Sequence, residues 1–362
     1  MIPLIKTFMP PKEDLMPELE NVLYSGYIAQ GQAVDDFEKE LALYLGNSNC
    51  LTVNSGSAAL HIALILAGVK EGDEVISTAL TAEPTNTVIK QTGAKIVWAD
   101  IDPKTGNLCP DDVERKITEN TKAIMVVDYA GVPMDIKRFQ AIESKYGIPV
   151  IEDGAHAFGA SFEDQKIGNQ FKYTIFSFQA IKHFTTVDGG VLCIKDHDEF
   201  EKAKLIRWFG ISKKVSRQEN DIKVQGYKYH MNNVNATIGL VQLRSIDRVV
   251  GRYIENGKFF DKALQGIDGL ELLDYYPGTQ PSYWLYTVKV KNKQRFIRAL
   301  LDRGIMASDL HKRNDTHSIF KESKTSLPHL DEFEEEWVHI PCGWWVTDED
   351  RDYIVSVIKK GW

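Results

Sequence analysis

Apolar residues follow two different spacings along the first half of the chain. Short continuous apolar runs predict buried strands, and apolar residues repeated every three or four positions predict amphipathic helices. The predicted strands cover residues 50–53, 74–78, 95–100, 123–127, 149–151, 173–178 and 191–194. The predicted helices cover residues 12–24, 34–45, 58–67, 84–92, 111–117 and 136–146.

Alternating strands and helices predict an α/β fold, with a mostly parallel central sheet flanked by helices. Residues 195–235 are more polar and are interpreted as an excursion outside the core. One long helix over residues 234–264 would connect this part to a smaller C-terminal α+β domain with a strand at 284–290 and helices at 295–303 and 349–359. We therefore expect a large domain over residues 1–240, followed by a connector helix and small domain over residues 241–362.

Composition and charge narrow the classes of function. The 362 residues are 43% hydrophobic and 26% charged, which is ordinary for a globular protein with a sizeable core. The formal net charge of -8 disfavours nucleic acid or an anionic membrane as partner. No signal peptide and no apolar run of about 18 residues is visible, and the four cysteines form no CxxC pair. We expect a cytoplasmic protein with reduced thiols and no metal site.

Three strand ends carry residues suited to chemistry. Parallel sheets bind ligands beyond the carboxyl ends of their strands. Ser55, Gly56 and Ser57 join a strand to a helix and could receive an anion, although a simple helix cap is equally consistent with this turn. Asp153 follows an apolar strand, where a carboxylate needs a cationic partner. Lys182 lies between two predicted strands and is either a catalytic amine or a surface charge.

Together the three features match what a pyridoxal phosphate enzyme requires. Such an enzyme uses a lysine as Schiff base, an acid at the ring nitrogen and a helix N-terminus at the phosphate. The lysine must be able to lose its charge, and apolar walls with a nearby positive centre would lower its pKa. This is the function that we assign to Lys182, with Asp153 as the acid.

The order and spacing of four sequence blocks make the assignment more specific. From about Tyr24 onward the chain resembles the DegT/DnrJ/EryC1/StrS family of sugar aminotransferases, which are fold type I pyridoxal phosphate enzymes. The blocks are Asn54-Ser-Gly-Ser-Ala-Ala-Leu60, Val150-Ile-Glu-Asp-Gly-Ala-His-Ala157, Phe176-Ser-Phe-Gln-Ala-Ile-Lys-His-Phe-Thr-Thr-Val-Asp-Gly-Gly190 and Gly226-Tyr-Lys-Tyr-His-Met-Asn-Asn-Val-Asn-Ala236.

The resemblance implies a role for each matching residue. Lys182 would be the Schiff-base lysine, Asp153 the partner of the ring nitrogen and His156 the partner of the ring hydroxyl. The resemblance further implies phosphate contacts from Ser57, Ala58 and Ser177, and from Lys228 of the partner subunit. It therefore implies a homodimer with shared active sites. Residues assigned to the substrate are Tyr129, His183, His311 and Arg313.

The implied reaction is transfer of an amino group from L-glutamate, which leaves as 2-oxoglutarate, to a keto group of a nucleotide-linked sugar of the 4-keto-6-deoxy type. Relatives that act as 3-dehydratases carry His at the lysine position, so Lys182 favours transamination.

Two departures from the family pattern stand out: Ala82 where many relatives have an aromatic residue on the cofactor ring, and Lys228 where Asn is frequent. Amination of a cyclitol, dehydration of a sugar and a non-catalytic sensor are the alternatives.

Overall fold

The computed structural model describes residues 1–362, which form twelve α-helices and thirteen β-strands. The helices are α1 Lys12–Leu23, α2 Gln32–Leu45, α3 Gly56–Leu66, α4 Glu83–Gln91, α5 Pro110–Lys116, α6 Ile136–Tyr146, α7 His197–Arg207, α8 Asn233–Leu243, α9 Ile246–Ala263, α10 Lys293–Leu301, α11 Pro328–Glu336 and α12 Asp348–Lys359. The strands are β1 Cys50–Val53, β2 Glu74–Thr78, β3 Lys95–Ala99, β4 Thr121–Val127, β5 Val150–Asp153, β6 Ser161–Phe162, β7 Gln165–Lys166, β8 Tyr173–Ser177, β9 Gly190–Ile194, β10 Leu270–Leu272, β11 Thr279–Gln280, β12 Tyr286–Val290 and β13 Trp337–Ile340.

A seven-stranded sheet in the order β1-β9-β8-β5-β4-β2-β3 forms the centre of the molecule. The pairs β8-β5, β5-β4, β4-β2 and β2-β3 are parallel, and only β9 runs against its neighbours. The predicted α/β fold with a mostly parallel sheet is therefore confirmed. The carboxyl ends of β5 and β8 lie side by side, because Asp153 is in register with Ile175.

Apolar layers cover both faces of this sheet. Neighbouring residues of one strand belong to different clusters: Val75 and Met125 lie in one, and Ile76 and Val126 in the other. This division follows from the pleat of a strand, which sends successive side chains to opposite faces. Helix α3 packs in the first cluster and helix α2 in the second. Burial on both faces explains why these strands are continuous apolar runs in the sequence.

An aromatic group lies in the second layer, under the segment that carries Lys182. The ring of Phe158 lies 5.2 Å from that of Phe176, 5.7 Å from Phe178 and 5.1 Å from Phe184, measured between centroids. Phe176 and Phe178 are in or directly after β8, and Phe184 follows Lys182 by two residues. Packing among these rings holds the backbone in place both before and after Lys182.

The structure corrects three predictions about elements. The helix predicted over residues 234–264 is broken at Arg244 and Ser245, because α8 packs against α2 while α9 ends at Phe260 in a separate apolar cluster of the C-terminal part. The segment 195–235 is not wholly an excursion, since it contains α7 with Phe200 and Ile206 buried. In the C-terminal part, β10 and β13 complete an antiparallel sheet around the predicted strand.

The first residues of the chain lie against the C-terminal part of the chain. Ile2 forms a parallel bridge with Ile305, and Trp345 Nε1 donates to the carbonyl oxygen of Pro3 at 2.9 Å. Helix α1, which follows them, packs against α8. The N-terminal segment thus contacts α8, which precedes α9 in the chain, and also Ile305 and Trp345, which follow α9. No helix combines the length and the apolar character needed to cross a membrane.

We predict that Phe158→Ala destabilises the protein strongly. The Phe158 side chain is 2% exposed and would leave a cavity among the neighbouring rings. The expected loss in free energy of unfolding is about 3–5 kcal/mol. Urea unfolding followed by circular dichroism measures it. Leu43→Ala, at a 78% exposed position of α2, is the control, with a change within roughly 0.5 kcal/mol. Equal midpoints for the two variants would contradict the assigned core.

Candidate active site

A cleft of about 380 Å³ lies at the carboxyl ends of the sheet strands. Its walls come from the start of α3, the turn before α4, the ends of β5 and β8, and one residue of the C-terminal part. Side chains with reactive or polar groups on these walls are Ser55, Ser57, Thr81, Glu83, Thr85, Asp153, His156, Ser177, Gln179, Lys182, Asp188 and His311. The position agrees with the general location of ligand sites in parallel sheets.

The start of α3 is pressed closely against β8 and β9. A Cβ atom added to Gly56 would lie 2.9 Å from the Cβ of Ser177, and one added to Gly190 would lie 2.8 Å from the amide nitrogen of Gly56. Ser55 caps the helix, and its Oγ accepts from the amide of Ala58 at 3.1 Å. The first amides of a helix are free to bind an anion. Glycine and serine therefore form a tight anion cradle at this end of the cleft.

Asp153 is fixed by two hydrogen bonds at the end of β5. Its Oδ2 accepts from the hydroxyl of Thr85 at 2.8 Å, and its Oδ1 accepts from the amide of Ala155 at 3.1 Å. Burial raises the pKa of Asp153, and the two hydrogen bonds together with the charge of Lys182 lower it. The carboxylate is thus held in one orientation, and a cation placed in the cleft would stabilise its ionised form.

Lys182 extends into the cleft from the turn after β8. Its Nζ lies 4.0 Å from the centroid of the Trp284 ring, and the residue is only 9% exposed. Burial lowers the pKa of Lys182 to about 7, with the carboxylate of Asp153 acting in the opposite direction. A substantial fraction of the amine is therefore neutral near pH 7. A neutral amine is the form that attacks a carbonyl or accepts a proton.

Two histidine rings lie parallel on one side of the cleft. The His156 ring stacks on Trp284 at a centroid distance of 4.1 Å and faces the His311 ring at 5.7 Å. The Nδ1 atom of His156 is buried without a hydrogen-bond partner. Burial, assisted by the charge of Lys182, lowers the pKa of His156 well below its usual value and that of His311 to about 4. Both rings are neutral at physiological pH and can each donate one hydrogen bond and accept another.

These residues fit pyridoxal phosphate. The cradle formed by Gly56, Ser57 and Ser177 suits a phosphate, and the oriented carboxylate of Asp153 suits a protonated ring nitrogen. The unpaired nitrogen of His156 offers a partner for a polar group of the ring. Lys182 provides an amine of lowered pKa in the same cleft. No Phe, Tyr or Trp lines the cleft, so the wall at Ala82 offers no aromatic stacking surface.

The structure brings together part of the predicted site. Ser57, Asp153, His156, Ser177, Lys182 and His311 all line the cleft. The amide of Ala58 is already bonded to Ser55, so this amide has a partner before any phosphate binds. Lys228 is exposed and does not line the cleft of its own chain.

Three residues assigned to the substrate lie elsewhere. The hydroxyl of Tyr129 donates to the carbonyl oxygen of Leu310 at 2.9 Å and is buried. The Nε2 of His183 bonds the carbonyl oxygen of Ser282 at 3.0 Å. The buried guanidinium of Arg313 pairs with three carboxylates, those of Asp315, Asp331 and Glu334. A substrate contact through Arg313 would have to compete with these ion pairs, and its assignment to the substrate stays a prediction.

Two contributors to the site were missed from the sequence. Thr85, which orients Asp153, is in the first turn of α4. Trp284, which contacts Lys182 and His156, precedes β12. Because Trp284 is 102 residues after Lys182, the sequence gives no local signal that the two are in contact. Thr85 is three residues after Ala82, the position where many relatives have an aromatic residue on the cofactor ring, and this proximity is the only local signal for Thr85.

Comparison with known proteins supplies the context for this geometry. The family model described as the DegT/DnrJ/EryC1/StrS aminotransferase family matches residues 11–359. The spore coat polysaccharide biosynthesis protein SpsC of Bacillus subtilis is 30% identical, over 96% of this chain and 94% of its own.

Solved structures agree over the whole length. The sugar aminotransferase CalS13 from Micromonospora echinospora is 38% identical, with a TM-score of 0.96 and 100% of both chains covered. AtS13 from Actinomadura melliaura is 41% identical, also with a TM-score of 0.96, and the match covers 100% of this chain and 99% of that one.

The environment of Lys182 predicts its titration in the cofactor-free protein. Acetic anhydride reacts with the neutral amine, so acetylation of Lys182 should rise with pH around a midpoint of about 7. Mass spectrometry of the Lys182 peptide at a series of pH values measures the midpoint. Asp153→Asn should move it lower, because the carboxylate favours the charged amine. A midpoint near the 10.5 of an ordinary lysine would contradict the buried position of this amine.

Proposed function

Because the chain belongs to the DegT/DnrJ/EryC1/StrS aminotransferase family, we propose that it transfers an amino group from L-glutamate to a keto group of a nucleotide-linked sugar of the 4-keto-6-deoxy type. The enzyme is an aminotransferase, and pyridoxal phosphate is the cofactor of its family. The observation that carries the proposal is the joint presence of Lys182, Asp153 and the α3 cradle on one cleft. A sugar acceptor is supported by the likeness to the sugar aminotransferase CalS13 and to SpsC, a polysaccharide biosynthesis protein.

The residues of the cleft would hold the cofactor at three points. Ser57, Ser177 and the first amides of α3 would bind its phosphate. Asp153, oriented by Thr85, would pair with the ring nitrogen, and His156 would meet the ring hydroxyl. The buried carboxylate gains a cationic partner from this arrangement, which offsets the cost of its desolvation.

Lys182 moves the proton of the reaction. The bound cofactor supplies an electron-withdrawing ring that stabilises negative charge at the Cα atom of the amino donor. With the cofactor bound, Lys182 would hold it through its Nζ atom. The freed amine would take the proton from the donor Cα and carry it on its own nitrogen. An amine with a pKa of about 7 accepts and returns a proton with little thermodynamic bias at neutral pH.

His311 is our candidate for contact with the sugar. It lines the cleft beside His156, and its pKa of about 4 keeps the imidazole neutral. A neutral imidazole can donate to one hydroxyl and accept from another. Tyr129 and His183 are buried and do not line the cleft, so they would act on the substrate only through the residues that they support.

A second copy of the chain would complete the site. Lys228 is exposed and tied to the cradle region through its carbonyl oxygen, which accepts from Asn54 Nδ2 at 3.2 Å. The segment before α2 carries exposed apolar side chains, with Tyr24 86%, Tyr27 79% and Ile28 52% exposed. This segment contacts the chain five residues after Lys228, because the carbonyl oxygen of Tyr27 accepts from Asn233 Nδ2 at 2.7 Å. Exposed apolar groups in a cluster are typical of an interface. In the proposed homodimer, Lys228 of the partner subunit binds the cofactor phosphate.

Shared sites predict complementation between two inactive variants. Lys182→Ala removes the amine, and Lys228→Glu places a like charge at the phosphate. After mixing under dissociating conditions, each hybrid dimer contains one intact site, so activity should recover to about a quarter of the wild-type value with random pairing of subunits. Steady-state transamination assays measure the recovery. Two variants at the same position, Lys182→Ala and Lys182→Met, should not complement. No recovery in the first mixture would contradict a site built from two chains.

The donor and the acceptor are tested separately. L-glutamate should bleach the visible absorption of the holoenzyme, and a panel of nucleotide-linked 4-keto-6-deoxy sugars should restore it. Lys182→Ala should slow donor deprotonation by at least ~100-fold, as expected for loss of a general base. It should also abolish the borohydride-reducible adduct. Bleaching without recovery on any nucleotide sugar, but with recovery on a keto-cyclitol, would replace the proposed acceptor. Absence of bleaching would reject glutamate.

A further inference from the structure

The ring of Trp284 lies over the reactive amine of Lys182, and the proposed chemistry gives this ring no role. Its ring centroid lies 4.0 Å from the Nζ of Lys182, and the residue is 2% exposed. We propose that Trp284 is a positioning residue that holds the free amine of Lys182 whenever it is not attached to the cofactor. The inference rests on the proposed function of Lys182.

The indole is itself held rigidly by the large domain. The amide of Ser282 donates to the carbonyl oxygen of Gly131 at 2.9 Å, and the amide of Leu285 donates to that of Ala130 at 3.2 Å. These two hydrogen bonds hold the segment 282–285 at both of its ends. Gly131, with a φ of 93°, allows the approach, because a Cβ atom there would lie 2.7 Å from the amide nitrogen of Trp284.

Trp284 also fixes the backbone that carries the lysine. Its Nε1 donates to the carbonyl oxygen of Ile181 at 2.9 Å. Ile181 directly precedes Lys182, whose amide closes a tight turn by donating to the carbonyl oxygen of Gln179 at 3.0 Å. One side chain therefore contacts the lysine at both ends, the backbone through a hydrogen bond and the amine through the ring face.

The ring face acts on the charge of the amine. The charged group that acts on Lys182 is Asp153, which favours its charged form. The imidazoles of His156, His183 and His311 near it carry no charge at neutral pH. Two further carboxylates, Glu83 and Asp188, line the same cleft. An aromatic face attracts a cation, and the attraction is stronger where water is excluded. Trp284 thus opposes the effect of burial and keeps the amine able to hold a proton between steps.

The two contacts can be separated with two substitutions. Trp284→Phe keeps an aromatic face and loses the indole N–H, whereas Trp284→Leu loses both. In the cofactor-free protein, the acetylation midpoint of Lys182 should fall by about one pH unit in Trp284→Leu. In Trp284→Phe it should fall by less than half of that. Amide hydrogen exchange over residues 179–185 should accelerate in both variants, since both lose the bond to Ile181.

Each result supports or rejects one of the two proposed contacts of Trp284. A wild-type midpoint in Trp284→Leu, or equal midpoints in the two variants, would overturn the role of the ring face. Unchanged exchange in Trp284→Phe would overturn the anchoring role, and this variant still gives a decision if circular dichroism shows that Trp284→Leu does not fold. Both readouts are made without cofactor or substrate. Failure here is therefore distinct from failure of the proposed function, which would appear as turnover by Lys182→Ala.

Discussion

Desolvation of one amine is the constraint on which the site depends. Lys182 is only 9% exposed although it lines the cleft, and the face of the Trp284 ring lies 4.0 Å from its Nζ. The same exclusion of water strengthens the interaction between the Asp153 carboxylate and the Lys182 amine, since charges interact more strongly where water is scarce. A solvated lysine at this position would stay protonated and inert. The sheet, the aromatic cluster around Phe158 and the backbone bonds that hold segment 282–285 together keep Lys182 out of solvent.

Much of the architecture could be predicted from the sequence because it depends on local pattern. The strands of a covered parallel sheet are continuous apolar runs, and all seven predicted in the first half have counterparts in the central sheet. Asp153 and Lys182 follow such strands, and the topology brings strand ends to one edge. The position of both residues on one cleft thus follows from periodicity and connection rules. The resemblance to a family added the cofactor, which no periodicity can specify.

Other parts depended on tertiary contacts that a sequence does not display. Arg313 is a cation in a polar segment, as a phosphate ligand would be, but three carboxylates from the same part of the chain neutralise it. The break at Arg244 and Ser245 carries neither proline nor glycine, and only the different packing partners of α8 and α9 require it. Helix α7 does have a local signal, since Asp196 caps it by accepting from the amide of Glu199. Its polar surface concealed that signal.

The contacts between the C-terminal part and the part of the chain around the central sheet have a consequence for the cleft. Strand β11 pairs with β6, and the amides of Ser282 and Leu285 bond the carbonyl oxygens of Gly131 and Ala130. Further along the chain, Leu327, Leu330 and Phe333 belong to the same apolar cluster as strand residues of the central sheet. His311 lies between these two groups of contacts in the sequence, and it lines the cleft. The place of its ring in the cleft therefore depends on packing over a long stretch of chain and not on its own loop alone.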